Sequence, residues 1–568
     1  MRLTAQKSIL PKIGHLHIAT CILIFTLVIT GCTQEVDDSV AVDFGQPNII
    51  VMYSDDHTAQ AVGAYQGVLN YGLQLDHTPT PNIDRLAENG IRFDNAFVTN
   101  SICKPSRAVL LSGLHSHLNG VLTNGQNISI DLETFPMLLQ ESGYQTAMIG
   151  KWHLGNEDDP QGFDYYEVLY GQGPYYNPTM RTTYGDVDHH GHTTEIISEQ
   201  ALRWLRNDRD RDRPFMMMYN HKAPHREWLP GPALDDYRDR DLPEPSTLFY
   251  GLQNKDAPAS EESAIYYPGL TTAAQEQDME IGTTMTWGRD LKVPVDPATG
   301  EDTEGWGNWQ QLVETNRLTD EQLERIINAY AEENEYLLEN YHNMTQEELL
   351  RWRYQRYVKD YLRVVREVDD EVGRLMAYLK RENLYDNTIV IYAGDQGFFL
   401  GEKGWFDKRW IYEESLRMPL IVHWPEGIDP GLVSKELVQN LDLAPTILEL
   451  AGTQVPGYMQ GRSLVPILMG DSPRDWRDAV YYHYFEGPPA VHRVARHYGI
   501  RTDRYTIAHF PDHNEWELFD LETDPDQIRS VYGEPEYSDI QERLKSKLYE
   551  LQEKYQDDSW SDFHKSDP

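Results

Sequence analysis

The chain has 568 residues, 40% hydrophobic, 25% charged and 11% aromatic, a composition that excludes a disordered or collagen-like chain and is ample for a buried core. Length alone allows roughly three to four domains, fewer if one is a large α/β unit. Acidic residues number 91 against 50 basic ones, a formal charge of −41, so the surface as a whole repels nucleic acid, and an anionic substrate requires a locally basic pocket.

In chain order the first feature is an apolar run. Arg2, Lys7 and Lys12 precede Cys21-Ile-Leu-Ile-Phe-Thr-Leu-Val-Ile-Thr30, and Gly31 and Cys32 follow. A basic flank before an apolar stretch too short to span a bilayer reads as a secretion signal. Ile29-Thr-Gly-Cys32 resembles the bacterial lipobox. That resemblance implies removal of residues 1–31 and a lipid on Cys32, which would hold a periplasmic or cell-surface lipoprotein to its membrane. An ordinary signal peptide or N-terminal anchor stays open. Residues 32–46 read as a polar tether. With Cys21 lost and Cys32 lipidated, Cys103 stands alone, so structural disulfides are excluded.

A continuous apolar run, Asn48-Ile-Ile-Val-Met-Tyr53, has the form of a strand buried on both faces. The same form recurs at 146–149, 215–219, 388–392 and 419–422, and the first four runs each enter polar residues at their C-terminal ends. Thr345-Gln-Glu-Glu348 is a capping-box sequence. Leu350, Tyr354, Tyr357, Tyr361, Val365, Val368, Val372, Leu375 and Leu379 then mark one apolar stripe on a long helix. Strands alternating with helices predict a mostly parallel α/β sheet over 47–476, with ligands at the carboxyl ends of its strands. Residues 229–344, rich in Asp, Glu, Pro and Tyr, read as an insertion over the active face. Beyond about Arg477, short strand-like pieces and a helix near 537–555 predict a smaller C-terminal antiparallel sheet, a second unit over 477–568.

The strand ends carry the chemistry. Asp55-Asp56 and Asp395-Gln396 supply hard oxygen ligands suited to Ca²⁺ or Mg²⁺. Cys103-Lys-Pro-Ser-Arg107 opens a helix whose N-terminus presents N–H groups and a positive dipole to an anion, with the Arg107 fork beside it.

Cys-x-Pro-Ser-Arg followed by Leu111-Ser-Gly113 resembles the formylglycine-dependent sulfatases. In that family the cysteine is oxidised by a maturation enzyme to formylglycine (3-oxoalanine), which hydrates to a geminal diol. One hydroxyl attacks sulfur, and the sulfated intermediate breaks down by loss of a proton from the other. The resemblance implies an alkaline-phosphatase-like α/β/α sandwich and one Ca²⁺ held by Asp55, Asp56, Asp395, Gln396 and residue 103. It also assigns Gly150-Lys-Trp-His-Leu-Gly155 to sulfate binding through Lys151 and to the diol through His153. His221-Lys-Ala-Pro-His225 supplies His225 as the acid for the leaving oxygen and Lys222 as a sulfate contact. Gly404-Trp-Phe-Asp-Lys408 supplies Lys408 as a further cation. Gln396 departs from the family, where Asn or His is common.

Within the family, the stretch from Asp395 to Leu416 is similar to the carbohydrate sulfatases. The segments 492–501 and 515–520 resemble members that remove 6-O-sulfate from N-acetylglucosamine units. The resemblance thus implies a sulfated carbohydrate substrate and a role in polysaccharide degradation, with Arg409, His492 and His497 as candidates for the sugar. A role for these three as staples between domains stays open, as do algal polysaccharides as substrates. Two other readings are a phosphoesterase of the same superfamily and, if Cys103 is never oxidised, an inactive glycan-binding lipoprotein.

Overall fold

The computed structural model describes residues 44–155 and 160–559. The N-terminal apolar segment, Cys32 and the tether up to residue 43 lie outside the described residues. Among the described residues no helix is long and apolar enough to cross a membrane.

Ten strands form the main sheet: β1 Asn48–Ser54, β2 Ile91–Phe93, β3 Gln145–Lys151, β4 Tyr165–Leu169, β5 Thr179–Thr182, β6 Gly185–Asp188, β7 Phe215–Asn220, β8 Thr388–Gly394, β9 Leu420–His423 and β10 Leu432–Ser434. Their spatial order is β10-β2-β9-β8-β1-β7-β3-β4-β5-β6. The central five, β8-β1-β7-β3-β4, are parallel; four of them are the predicted apolar runs, and β4 was not singled out from the sequence. The fifth run, β9, lies antiparallel between β8 and β2, and β5 and β6 are antiparallel at the opposite end, so the sheet is mixed towards both edges.

Alternate side chains of β1 leave on opposite faces, as the strand period requires. Ile50 and Met52 join one buried layer, while Ile49, Val51 and Tyr53 join the other. Helix α1, Cys103–Ser112, lies on the second side with Ala108, Leu110 and Leu111 in its core. Gly113 ends it in the left-handed conformation (φ +65°), which glycine adopts without a Cβ clash. The predicted long helix, α3 (Gln346–Arg381), starts at the Thr345/Glu348 capping box and buries its whole stripe in the first layer.

The segment 229–344 contains α2, Asp320–Asn340, opened by a Thr319/Gln322 capping box that the sequence reading passed over. The segment also pairs with the main body. Ile281 N–H donates to the Gly404 carbonyl (2.9 Å), and Phe406 N–H donates to that of Met279 (2.9 Å).

A four-stranded antiparallel sheet follows, β11 Ala479–Tyr484, β12 His497–Thr502, β13 Tyr505–Phe510 and β14 Glu515–Asp520, with α4 Ser538–Tyr555 packed on it. Its other face shares a core with Phe399, Trp405, Trp410, Tyr412 and Leu416. Glu413 ties the two parts together. Its carboxylate accepts from Arg501 Nε on β12 (2.9 Å) and from Arg417 Nε (3.1 Å), all three side chains being buried. Burial opposes the charge on Glu413, but Arg417 and Arg501 outweigh it and hold the carboxyl at about 2, below its ordinary 4.5. A depressed folded-state pKa contributes stability that is fully present above pH 4.5 and is lost as pH falls through about 2. Glu413→Gln, which leaves two buried guanidinium groups without their anion, is expected to cost about 3–5 kcal/mol at neutral pH. Chemical denaturation checks this, and the gap between wild type and variant should close below pH 4.5.

Candidate active site

The carboxyl ends of four adjacent parallel strands converge. Asp395 N–H donates to the Ser54 carbonyl (3.1 Å) and Asp55 N–H to that of His221 (3.3 Å), so the segments leaving β1, β7 and β8 are zipped together. Asp55, Asp56 and Asp395 are wholly buried, with one oxygen of each within 4.8 Å of the others. Asp56 N–H donates to Asp395 Oδ1 (2.9 Å). From α3, the Tyr361 hydroxyl donates to the Asp56 carbonyl (2.6 Å) and fixes a residue held at φ +63°.

Each residue of the cysteine motif has a task. Pro105 sits in the first turn of α1, where no intrahelical N–H is required. Ser106 donates to the Asp395 carbonyl and receives Tyr53 and Asn440, each at 3.0 Å. Arg107 donates through Nη2 to Asp395 Oδ2 (3.0 Å) and through Nη1 to the Lys151 carbonyl (3.1 Å). Cys103 is fully buried in the first turn, with Gln396 Nε2 3.9 Å from its sulfur. It forms a second close group with Asp55 and His225.

Positive charge surrounds that group. Lys151 Nζ contacts Asp55 Oδ2 and Gln172 Oε1, and Lys408 Nζ lies 2.5 Å from Asp56 Oδ1. Lys222 Nζ sits 4.3 Å from the centre of the Tyr175 ring and donates to the Arg226 carbonyl (3.3 Å). Burial pushes Lys222 down to about 8 and Lys151 well below the ordinary lysine value. For Lys408 burial acts the same way, but Asp56, Cys103 and Asp407 outweigh it and hold the ammonium above its ordinary value. Burial raises Asp56 to about 6, with Lys408 opposing. His153 and His225 are pushed well below the ordinary histidine value by burial, with Lys151 the next cause for both. His225 Nδ1 donates to the Arg226 carbonyl (2.6 Å), which leaves Nε2 as the nitrogen facing the site, 3.8 Å from Asp56 Oδ2. The locally basic pocket that the overall charge demands is therefore present.

Asp55 Oδ1, Asp56 Oδ2 and Gln396 Oε1 are buried without a hydrogen-bond donor, while Asp55 Oδ2 faces the Lys151 ammonium. Buried carboxylate oxygens are rarely left so. Three orphaned hard donors in one cluster fit a divalent cation of the Ca²⁺ or Mg²⁺ type.

Beside Lys408, Asp407 binds Arg409 Nη1 (2.7 Å) and His492 Nε2 (2.8 Å), and His492 Nδ1 donates to the Asp278 carbonyl (3.0 Å). Burial opposes the charge on His492, but Asp407 and Asp278 raise its pKa above the ordinary value. Arg226, which the sequence reading did not single out, pairs with Asp290 at 2.7 and 2.5 Å and places Nη1 3.4 Å from His492 Nε2. His497, a candidate for the sugar, does not reach the site. It is fully buried, its Nε2 accepts from Ile411 N–H (3.1 Å), its Nδ1 donates to the Ala495 carbonyl (2.8 Å) and its ring stacks on Trp410. With both nitrogens committed, it staples the C-terminal sheet to the body.

Asp56, His153, Asp407, Arg409 and His492 all have positive φ, between +58° and +94°. Non-glycine residues adopt this conformation at a cost and concentrate where a site dictates side-chain direction.

Comparison with known proteins identifies the family. The sulfatase family model matches residues 47–453, and a model described as N-sulphoglucosamine sulphohydrolase, C-terminal, matches 401–554. An N-acetylglucosamine-6-O-sulfatase of Bacteroides thetaiotaomicron is 43% identical over 521 residues, 90% of this chain and 87% of that protein. Human N-acetylglucosamine-6-sulfatase is 27% identical over 498 residues, 82% of this chain and 72% of its own. A solved structure of a protein in complex with its substrate D-glucosamine-2-N,6-O-disulfate matches at a TM-score of 0.81 and 42% identity, covering 90% of this chain and 99% of that one. The chain belongs to the sulfatase family, a sulfuric ester hydrolase on the alkaline-phosphatase-like α/β/α fold with a smaller C-terminal antiparallel sheet.

Proposed function

We propose that the protein hydrolyses the 6-O-sulfate ester of glucosamine units in a sulfated glycan, as an exported lipoprotein of polysaccharide degradation. The observation that carries the reaction is the seating of buried Cys103 against Asp55 and the partly buried His225, with the charges of Arg107, Lys222 and Lys408 acting on it and Lys151 on Asp55. The sugar rests on the likeness to the N-acetylglucosamine-6-O-sulfatase and to the glucosamine disulfate complex.

The reaction consumes water and releases the sugar hydroxyl, sulfate and a proton. Arg107, Lys151, Lys222 and Lys408 bind the sulfate oxygens and take up the charge that spreads over them in the transition state. A bound sulfate monoester offsets those cations and so favours a proton on His225 Nε2, from which it passes to the leaving sugar oxygen. His153 Nδ1, buried and without a partner, receives the proton of the nucleophilic hydroxyl. As formylglycine, residue 103 supplies a geminal diol, one hydroxyl to attack and a second to provide the exit. Ca²⁺ held by Asp55, Asp56, Asp395 and Gln396 supplies charge neutralisation and orientation. Arg409 and His492, fixed by Asp407, meet the sugar hydroxyl groups.

His225→Ala is expected to lower kcat for a sugar sulfate by about 10²–10⁴-fold and to affect a nitrophenyl sulfate far less, because a stable phenolate leaves without a proton. Steady-state kinetics on the two ester types measure the split. The substrate reading is tested by offering glucosamine 6-sulfate, 3-sulfate and N-sulfate separately and quantifying sulfate. Release from the 6-sulfate alone supports it, and release from another position, or only from algal fragments, overturns it. The anchor is tested by palmitate labelling, which Cys32→Ala should abolish.

A further inference from the structure

We propose that Trp306 is the platform of a second sugar-binding position, which takes the pyranose ring next to the sulfated unit of an oligosaccharide substrate; this rests on the glucosamine 6-sulfate reading above. Among the described residues Trp306 is the only exposed tryptophan, with 59% of its surface open. It belongs to the segment 229–344, which packs against the stretch carrying Lys408.

The indole stands one side chain beyond the sulfate pocket. Arg226, the residue after His225, lies with its guanidinium 5.0 Å from the Trp306 ring centre and 5.1 Å from that of Phe406. The Arg289 guanidinium lies 5.3 Å from the same indole. Both cations are held, Arg226 by Asp290 and Arg289 by Glu227 (2.8 Å). Two fixed guanidinium groups thus support the ring, much of which faces solvent, and one of them, Arg226, reaches to 3.4 Å from His492 Nε2.

The turn that presents it is equally fixed. Gly305 and Gly307 flank the tryptophan at φ +73° and +80°, and a Cβ on Gly307 would meet the Thr286 side chain at 2.5 Å. The Gly307 carbonyl accepts from Arg289 N–H (2.8 Å) and its N–H donates to Gln311 Oε1 (2.7 Å). An exposed aromatic face held in advance loses little freedom when a ligand arrives, and the C–H face of a pyranose is its natural complement. A single ring bounded by charged groups is too small for a protein interface but matches one sugar unit.

The test compares kcat/KM for sulfate release from glucosamine 6-sulfate and from a trisaccharide bearing that unit at its end. Wild type, Trp306→Ala and Trp306→Phe are measured, each co-expressed with a maturation enzyme. In Trp306→Ala the trisaccharide-to-monosaccharide ratio is expected to fall about three- to tenfold, chiefly through KM, and Trp306→Phe should restore most of it. An unchanged ratio in Trp306→Ala, with wild type active on both compounds, overturns the inference alone. If wild type releases sulfate from neither, the substrate reading falls and takes the inference with it.

Discussion

Cys103→Ala is expected to keep the fold and to release sulfate from a sugar ester at least about 10⁴-fold more slowly than the mature protein. The side chain is small and lies in the site, so truncation leaves the sheet layers untouched. Burial pushes an unmodified thiol at this position to about 12; Lys408 opposes this, while Asp56 and Asp395 add to it. It therefore stays protonated at neutral pH and is a poor nucleophile. Protein made without a maturation enzyme should accordingly behave like the alanine variant. Circular dichroism and a sulfate-release time course measure the two halves of this expectation. A variant that keeps more than about a tenth of the activity would place the nucleophile elsewhere.

Asp55→Asn is expected to remove the divalent cation and to lower activity by about 10³-fold or more. Asp55 Oδ1 accepts no hydrogen bond. Among the described residues its ionic partners are Lys151 and, at 4.0 Å, Arg107. An isosteric amide keeps the shape of the site while removing a charged ligand and the anion beside buried Lys151, so circular dichroism accompanies the assay to show that the fold is kept. Elemental analysis should find about one Ca²⁺ per chain in wild type and almost none in the variant. Chelation of wild type should reproduce the loss of activity, and Ca²⁺ should reverse it. Full metal content in the variant would contradict the ligand set.

Much of the fold was legible because strands buried on both faces are written as unbroken apolar runs, and the carboxylates and cations directly follow them in sequence. The stripe from Leu350 to Leu379 was readable for the same reason, since one face of α3 is apolar throughout. Other features depend on contacts that no local pattern carries. Arg226 and Asp290 lie 64 residues apart and meet only in the folded insertion. Asp407 sat inside a recognised motif, but its work is to hold Arg409 and His492, which becomes visible only once the C-terminal segment folds back. His497 resembled a sugar ligand because a histidine in a short strand gives no sign of which face it occupies. Helix α2 was legible through Thr319 and Gln322, but the acidic, proline-rich composition around it masked the signal. The left-handed backbone of Asp56, His153, Asp407 and Arg409 was not readable, because aspartate and histidine are enriched there but occur far more often elsewhere, and arginine carries no such preference.

The most direct measurement pairs two quantities in the same preparations. Protein is expressed with graded amounts of maturation enzyme, the aldehyde at residue 103 is quantified by mass spectrometry of its peptide, and sulfate release from D-glucosamine-2-N,6-O-disulfate is timed. The expected result is a rate proportional to aldehyde content, passing through zero, with the N-sulfate retained in the product. Activity in preparations free of aldehyde, or none at full conversion while a phosphate ester is cleaved, would contradict a formylglycine sulfatase acting on 6-sulfated glucosamine.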